Sequence, residues 1–428
     1  MDDEMDAFDQ ITLDAGNARG YKRPDALQER FAAAAQTLLR SDPWTNADGS
    51  TPPGAPELRC DLALEGGGVK GIGLVGAVLV LEEAGYQIKR IAGTSAGAIA
   101  ASLIAALVQH GDPMATLKKD LDTLQFKKFM PEGRLRRFIE LVGRRPGAYL
   151  ADVAILTTRM GLYPGTYLEQ WLGPILQGLG VHTFSDLKIT PAQDPGMSLP
   201  PERRYRLVVH VSDITRGELV RLPWDYDYYG ENRDEKSVVD AVRASMSIPF
   251  FFQPVTFTSK KADVPTPAPG GDTTTEHYDP GTVTWVDGGM LQNFPIHAFD
   301  RIDGGKPRWP TIGIKLSKLP ESYPATKACS STVGVGTHCF TTMMNEWDRY
   351  DIEETTAART IFVDNAGITA TQFDLTQTQQ DELFLNGVKA ATRFVIDMAA
   401  NGHVPRDPNE GAAFVAVRKQ LTTAAGRH

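Results

Sequence analysis

Cysteine is scarce in this chain of 428 residues, which has only Cys60, Cys329 and Cys339. An odd number of cysteines without paired spacing excludes a disulfide framework and does not match a zinc site. No cluster of Asp, Glu or His has metal-ligand spacing either, so no metal ion and no other cofactor is expected. The thiols are expected to be buried and apolar, in a protein of a reducing compartment.

Long apolar runs and basic targeting signals are also missing. The apolar stretches are interrupted by glycine or charge well short of the ~20 residues that cross a bilayer. The first ten residues hold five acids and no base, unlike a signal or transit peptide. The expected location is therefore the cytoplasm, or outside the cell after export without a cleavable signal peptide, and no transmembrane span is expected.

Basic residues are fewer than acidic ones: the chain has 44 Lys and Arg and 53 Asp and Glu, which gives a net charge of −9. A protein that wraps nucleic acid needs a basic surface, so nucleic acid is not an expected partner. Residues 117–145 are the local exception, because bases outnumber acids there and Phe126 and Phe129 lie among them. This basic segment predicts peripheral contact with an anionic membrane. The alternative is an ordinary solvated helix face.

The chain changes character near residue 60. Residues 1–59 are acidic at the start, show helical periodicity near residues 26–39 and end in a Pro- and Gly-rich stretch, so they are predicted to be an extension and linker. Two strand, glycine-turn, helix units follow, which predict a parallel sheet covered on both faces. Apolar strands near residues 311–316 and 360–363 are expected to extend the same sheet.

A glycine-rich loop follows the first of these strands. Gly66, Gly68 and Gly71 match the G-x-G-x-x-G pattern of dinucleotide sites. Such a site needs an acid at the end of the second strand, and this strand ends in Gly93-Thr94-Ser95 instead. The pattern therefore favours a loop whose backbone N–H groups, at Gly67 and Gly68, hold an acyl oxyanion. A dinucleotide site and glycines needed only for tight packing are the alternatives.

The second glycine motif carries a serine. Residues 93–97 read G-x-S-x-G between a predicted strand and a predicted helix, which is the context of a nucleophile elbow. Gly93 and Gly97 relieve crowding at a sharp turn that exposes the Ser95 hydroxyl at a helix N-terminus. Ser95 is therefore the candidate nucleophile.

The base for this serine is less obvious. His297 and His338 are the best candidates among eight histidines, and each is expected to be structural or solvated. Asp287 ends a predicted strand and enters a Gly288-Gly289 turn, where its carboxylate could take the serine proton directly. The alternatives for Asp287 are an ordinary turn residue and an acid that orients a histidine.

Three ordered motifs resemble the bacterial branch of the patatin-like phospholipases: EGGGVKG at 65–71, GTSAG at 93–97 and DGG at 287–289. Further matching blocks are GLYPGTYLEQWLGPIL, HTFSDL, RASMSIPFFFQPV, MLQNFP and TQFDLT. The resemblance covers roughly residues 60–395. Ser95 and Asp287 must meet in one site, so we expect a catalytic core over residues 60–300 and a C-terminal part, 301–428, that completes the sheet and packs helices on it.

The resemblance implies a three-layer α/β/α sandwich with a central, mostly parallel sheet. It also implies phospholipase A or lysophospholipase activity on phospholipid or lysophospholipid, with an acyl-serine intermediate and without a histidine. The residues it implies are Ser95 as nucleophile, Asp287 as base, Gly66, Gly67 and Gly68 around the oxyanion, and Lys70, Gly71, Gly93, Gly97, Gly288 and Gly289 as motif support.

Two positions depart from the pattern. Many members of the family have Asp where this chain has Glu65 and Arg where it has Lys70, and a lysine lacks the fork of a guanidinium group. The alternative functions are a Ser-His-Asp carboxylesterase of the α/β-hydrolase fold and a patatin-like scaffold without catalysis.

Two other stretches carry weaker expectations. Residues 334–348 hold Phe340, Met343 and Met344 and would line an acyl tunnel, or would be plain core. Residues 264–280, rich in Pro, Gly, Thr and Asp, are expected to form a surface loop.

Overall fold

The computed structural model describes residues 7–45, 50, 56–129, 161–267, 273–301, 305–317, 354–370 and 372–406. The strands in these ranges are β1 (Thr12–Leu13), β2 (Tyr21–Lys22), β3 (Leu58–Leu64), β4 (Tyr86–Thr94), β5 (Gly161–Tyr163), β6 (Leu207–Asp213), β7 (Glu218–Leu222), β8 (Phe250–Phe252), β9 (Val255–Thr258), β10 (Ala262–Pro267), β11 (Thr273–Tyr278), β12 (Thr282–Asp287), β13 (Thr311–Lys315) and β14 (Thr360–Phe362). The α-helices are α1 (Asp25–Ser41), α2 (Ile72–Glu83), α3 (Ala96–His110), α4 (Ala115–Asp122), α5 (Thr166–Gly178), α6 (Val238–Ser245), α7 (Gly289–Gln292), α8 (Glu354–Ala357) and α9 (Gln377–Asn401).

Five parallel strands form the centre of the main sheet, in the order β14-β13-β3-β4-β6. Every residue of β3 and β13 is buried, which is typical of a parallel sheet covered on both faces. Helices α2 and α3 follow β3 and β4 and are buried along most of their length. The predicted three-layer α/β/α sandwich with a mostly parallel sheet is confirmed, and the later strands β13 and β14 extend it as expected.

Strands β4 and β12 meet end to end along one edge of strand β6. Strand β7 pairs antiparallel along one edge of β6, opposite residues 209–213. The other edge is shared: β4 runs parallel and ends with Thr94 opposite His210, while β12 runs antiparallel and ends with Asp287 opposite Val211. The carboxyl ends of β4 and β12 therefore face each other along one edge of one strand.

The N-terminal residues pack on the sheet domain. Helix α1 matches the helix expected near residues 26–39 and contacts α9. Its Phe31 and Leu38 belong to the same hydrophobic cluster as the central strands. Just before α1, Arg23 donates from Nε to the Thr392 hydroxyl at 3.0 Å. The division of the chain into an extension, a catalytic core and a C-terminal part stays a prediction.

Residues 264–280 were expected to be a loop, and that expectation is wrong. They contribute to an antiparallel hairpin of β10 and β11, whose side chains are mostly exposed. The alternation of apolar and polar residues does not predict this hairpin, because neither of its faces is buried. Residues 334–348, the predicted lining of an acyl tunnel, and residues 130–145 of the basic segment lie outside the described residues.

Candidate active site

Ser95 occupies the turn between strand β4 and helix α3. Its backbone has a φ of 53° and a ψ of −123°, a left-handed conformation that is rare for a residue with a side chain. A Cβ atom at Gly93 would lie 2.6 Å from the carbonyl carbon of Gly97, and one at Gly97 would lie 2.7 Å from the carbonyl oxygen of Glu65. Only glycine fits these two positions, so the geometry is that of the predicted nucleophile elbow.

A second serine holds this turn in place. The backbone N–H of Ser95 donates to Ser245 Oγ at 2.9 Å, and the Ser245 hydroxyl donates to the carbonyl oxygen of His210 at 2.7 Å. Both serines are buried. The chain of hydrogen bonds fixes the turn to the end of α6 and to strand β6, and it leaves the Ser95 hydroxyl as the polar group free to react.

Asp287 ends strand β12 and is fully buried. Its backbone N–H donates to the carbonyl oxygen of Ser247 at 2.9 Å, and its Oδ1 accepts from the N–H of Gly289 at 2.8 Å. A Cβ atom at Gly288 would lie 2.6 Å from the carbonyl carbon of His210, so this turn also requires glycine. The two glycines predicted to support Asp287 therefore have separate roles, one as donor and one in close packing.

The Asp287 carboxyl interacts with the Ser95 side chain. Burial raises the pKa of Asp287 to about 7, and the Ser95 hydroxyl and the Gly289 N–H partly oppose that rise. Oδ2 is buried and has no hydrogen-bond partner of ordinary geometry in the described part of the chain. A loose serine–carboxylate contact is common in sites without substrate, and it tightens when substrate binds.

The glycine loop lies against Ser95. A Cβ atom at Gly66 would be 3.1 Å from the Ser95 Cβ. The N–H of Gly66 donates to the carbonyl oxygen of Asn293 at 3.0 Å, and the Asn293 side-chain amide donates back to the carbonyl of Gly66 at 3.0 Å. Gly66 thus provides close approach but has no free N–H, which differs from the expectation that it serves the oxyanion directly.

The next two glycines have the available donors. Among the described residues, the N–H groups of Gly67 and Gly68 donate no hydrogen bond. Gly68 has a φ of 55°, and a Cβ atom there would collide with the carbonyl oxygen of Ala370. Two backbone donors of the loop are therefore left without an acceptor among the described residues, which is a condition for an oxyanion site.

The side chains beside this loop anchor it to strand β13. The Glu65 carboxylate pairs with Lys315 and also accepts from the N–H of Leu316. Lys70 donates from Nζ to the carbonyl oxygen of Leu316 at 3.5 Å, and burial lowers its pKa. A Cβ atom at Gly71 would lie 3.3 Å from the Ala96 Cβ, so Gly71 packs directly on the start of α3.

The described histidines make no hydrogen bond to Ser95 or Asp287. His297 pairs through Nδ1 with Asp300 Oδ2 at 2.6 Å. His210 lies beside Val211 on β6, so its side chain points to the face opposite that of Val211 and its partner Asp287. Burial, followed by the nearby charge of Arg221, lowers the pKa of His210 to about 3. His338 lies outside the described residues.

Three positioning residues were missed by sequence reasoning: Ser245, Ser247 and Asn293. All three fall within blocks that carried the family resemblance, RASMSIPFFFQPV and MLQNFP, without a role assigned to them. Arg243, in the first of these blocks, supports Ser247 in turn, since it donates to Ser247 Oγ at 2.7 Å and to the carbonyl oxygen of Gln253 at 2.9 Å. These residues are polar and lie within blocks that match the family, and that was the signal from which a positioning role could have been predicted.

Two kinds of feature are absent from the described residues. No helix there is both long and apolar enough to span a bilayer. No group of three or more His, Cys, Asp or Glu side chains is arranged there to hold a metal ion.

The family of the chain follows from comparison with known proteins. A family model described as patatin-like phospholipase matches residues 62–300, which is more than half of the chain. The chain therefore belongs to the patatin-like phospholipase family. The uncharacterized protein YqhO of Bacillus subtilis strain 168 is 32% identical over 335 residues, which make up 78% of this chain and 97% of that protein.

Solved structures also match this chain, VipD and ExoU among them. VipD from Legionella pneumophila matches with a TM-score of 0.39 and 17% identity over 80% of this chain and 67% of its own. The type III effector protein ExoU matches with a TM-score of 0.37 and 15% identity over 79% of this chain and 53% of its own. This chain thus spans about half the length of ExoU.

Proposed function

We propose that this protein is a lipid acyl hydrolase of the phospholipase A or lysophospholipase type, with Ser95 as nucleophile and Asp287 as general base. Membership of the patatin-like phospholipase family supports lipid hydrolysis in general. The observation that carries the residue roles is the fully buried Asp287 carboxyl beside the Ser95 hydroxyl, with a pKa raised to about 7. A base with a pKa near the working pH transfers protons most effectively.

The first half of the reaction forms an acyl-serine. Asp287 takes the hydroxyl proton of Ser95 through Oδ2, the oxygen that has no other partner. The Ser95 Oγ attacks the ester carbonyl carbon, and the N–H groups of Gly67 and Gly68 hold the negative charge that develops on the carbonyl oxygen. The C–O bond to the leaving alcohol breaks, and that oxygen receives the proton from Asp287.

The second half hydrolyses the intermediate. Asp287, again ionised, takes a proton from water, and the resulting hydroxide attacks the acyl carbon. The proton returns to Ser95 Oγ as the fatty acid leaves. One carboxyl group therefore acts as base and acid in turn, and a pKa near 7 suits both directions of transfer.

We propose that two aromatic residues, which follow the loops of the site closely in sequence, bind the acyl chain of the substrate. The rings of Phe251 and Phe373 stack with centroids 5.3 Å apart. Phe373 follows shortly after Ala370, whose carbonyl oxygen contacts the Gly68 position. Phe251 follows Ser247, which binds the backbone of Asp287. An acyl chain that leaves the ester carbon can thus pack on apolar rings.

We also propose peripheral membrane contact through the described part of the basic segment. Lys127 and Lys128 are exposed there. Phe129 does not contribute, because it is buried and its ring packs edge-on against Tyr167 at 5.0 Å and Phe252 at 6.1 Å. The membrane contact therefore rests on charge rather than on inserted rings.

A fluorophosphonate probe followed by lipid analysis tests the proposed activity. The wild type is expected to be labelled and to release fatty acids and lysolipids from a phospholipid extract, as read by mass spectrometry. Ser95→Ala is expected to lose both signals. Ser102→Ala is the matched control, because Ser102 is buried in the same helix and bonds only to the carbonyl of Ile99 at 2.8 Å.

Substitution of a histidine distinguishes the proposed mechanism, which uses Ser95 and Asp287, from a Ser-His-Asp mechanism. The proposal predicts that His297→Gln retains labelling and hydrolysis, whereas a Ser-His-Asp carboxylesterase would lose both on substitution of its histidine. A wild type that takes no label would favour a scaffold without catalysis. Full labelling of Ser95→Ala would assign the nucleophile to another residue.

A further inference from the structure

A cavity of about 410 Å³ lies at the edge of the sheet opposite Ser95. Thr311, which begins β13, and Arg206, which precedes β6, both line it. Arg90 lines it as well, and Ser95 follows Arg90 by five positions, just after the end of β4. At ~3.3 Å per residue, the Cα atoms of Arg90 and Ser95 are about 16 Å apart, so the two sites are separate.

The lining of this cavity is strongly basic, although the chain as a whole carries a net charge of −9. Cations clearly outnumber carboxylates along its wall. The cations are Lys89, Arg90, Arg203, Arg206, Arg221, Arg301 and Arg308, and the carboxylates are Asp61, Asp194 and Asp300.

Three of the arginines are neutralised by carboxylates. Arg308 pairs with Asp194 at 3.0 Å, Arg90 pairs with Asp61 at 2.5 Å, and Arg221 pairs with Asp225 at 3.0 Å. Another set of three cations, Lys89, Arg203 and Arg206, has no carboxylate within 4.0 Å in the described part of the chain.

Arg206 is the most informative of the three, because its residue is only 6% exposed. Its Nε donates to Gln109 Oε1 at 3.3 Å and its Nη1 to the carbonyl oxygen of Lys89 at 3.0 Å, and both acceptors are neutral. Its Nη2 donates no hydrogen bond to a described residue. The charge of Asp194 acts on Arg206 from beyond ion-pair distance, so this nearly buried guanidinium is only partly compensated by the described residues, and a bound anion would stabilise it.

Lys89 shows the electrostatic consequence. Its ammonium group contacts only the Gln87 side chain, at 2.9 Å. Burial, followed by the charges of Arg59 and Arg206, lowers its pKa to about 8. The cations at this end of the cavity thus repel one another, and a bound anion would relieve the repulsion.

Aromatic residues form another part of the wall, and arginine side chains lie over their rings. The Arg203 guanidinium lies 4.3 Å from the ring centre of Trp224, whose ring packs edge-on against Phe299 at 6.0 Å. Trp309 lines the cavity too, with Arg308 at 4.7 Å from its ring centre. Cavities of this size hold small organic molecules, and aromatic walls favour planar ones.

We propose that this cavity binds a soluble organic phosphate. Such a molecule carries about two or more negative charges and has a planar apolar group. Lys89, Arg203 and Arg206 would contact the phosphate oxygens, since arginine and lysine are the side chains that bind phosphate best. The planar group would contact the exposed edges of Trp224 and Phe299, since Arg203 and Arg90 lie over the faces of these rings. The site is independent of the proposed hydrolytic reaction.

Calorimetric titration with three soluble probes tests the proposal: ADP, pyrophosphate and adenosine. The wild type is expected to bind ADP more tightly than pyrophosphate, and adenosine most weakly. The double variant Lys89→Gln/Arg203→Gln is expected to bind ADP at least about tenfold more weakly, because two charged contacts are lost. Its thermal unfolding without ligand and its labelling at Ser95 by fluorophosphonate report on folding and on the other site.

The control removes the same charge elsewhere. Lys22→Gln/Lys119→Gln changes two exposed lysines that do not line the cavity, and it is expected to bind ADP like the wild type. Equal weakening by this control, or absence of saturable binding of ADP and pyrophosphate to the wild type, would overturn the proposal. Phosphatidylcholine vesicles that contain phosphatidic acid form a further arm. Vesicle binding that depends on Lys89 and Arg203, without binding of ADP, would assign the phosphate to a lipid headgroup instead and would also overturn it.

Discussion

The Asp287 carboxyl carries an energetic cost as well as a proposed function. The rise of its pKa from 3.8 to about 7 means that its ionised form is destabilised by about 4 kcal/mol relative to the unfolded chain. At pH 4 to 7 the folded protein binds a proton at this site that the unfolded chain has released. The contribution of Asp287 to stability therefore falls as pH rises through this window, and it is constant above about pH 7.

Asp287→Asn is expected to raise stability and to abolish activity. Asn keeps the acceptor for Gly289 but cannot ionise, so its gain over the wild type should grow from near zero at pH 4 to about 4 kcal/mol above pH 7. Hydrolysis should fall roughly 10²–10⁴-fold, and the wild-type kcat/KM should rise with pH to a plateau with a midpoint near 7. Denaturant unfolding and rate measurements at several pH values check this, and a stability gain independent of pH would contradict it.

Among single residues, the sequence predicts the proposed reactive groups better than the residues that position them. Ser95 and Asp287 stand in short motifs whose glycines have a local steric cause, so both could be proposed before the structure was known. Ser245 and Asn293 act on residues more than a hundred positions away in the chain. Partners at that distance depend on sheet order and strand register, which local patterns do not contain.

Among the elements, the parallel strands were the most predictable. Strands β3 and β13 are buried on both faces, and each contains a short apolar run close to a turn, LAL in β3 and IGI in β13. The hairpin of β10 and β11 was not predictable in this way, because exposed Thr and Pro residues leave no alternation of apolar and polar side chains. Its pairing is visible only from backbone hydrogen bonds.

The junction of β4 and α3 gives a prediction at this scale. Gly97→Ala would place a Cβ atom 2.7 Å from the carbonyl oxygen of Glu65, a backbone atom that cannot move without the glycine loop. We expect a loss of at least about 1–3 kcal/mol in the free energy of unfolding, and loss of fluorophosphonate labelling.

Gly178→Ala is the matched control for this substitution. Gly178 lies in helix α5 and has open space around it, so alanine there should raise the free energy of unfolding by up to about 0.5–1 kcal/mol. Denaturant unfolding compares the two variants. A Gly97→Ala protein with wild-type stability and labelling would show that the elbow does not need glycine at this position.

For the whole molecule, one hydrophobic cluster runs from Phe8 to Val404. Phe31 of α1 is 1% exposed, and the Arg23 guanidinium lies 3.8 Å from its ring centre. We therefore propose that residues 7–45, although distinct in composition, fold together with the catalytic core. Composition alone could not reveal this docking, because α1 looks like any amphipathic helix until its partner α9 is known.

Phe31→Ala tests this single folding unit. Loss of a buried phenylalanine should lower the free energy of unfolding by about 3–5 kcal/mol, and the whole protein should still unfold in one transition. Leu13→Ala, at a residue that is 41% exposed, is the control and should change stability by less than about 0.5 kcal/mol. A core transition at the wild-type temperature, with an earlier separate loss of helix signal, would show that α1 is an independent appendage.

The meeting of β4 and β12 on one edge of β6 has a mechanical consequence. Thr94 and Asp287 take their positions from consecutive residues of the same strand, His210 and Val211. The spacing between the serine turn and the carboxyl is thus set by the repeat of one extended backbone, about 3.3 Å per residue. Twisting of the sheet, which changes the angles between strands, would carry both groups along together and leave their separation unchanged.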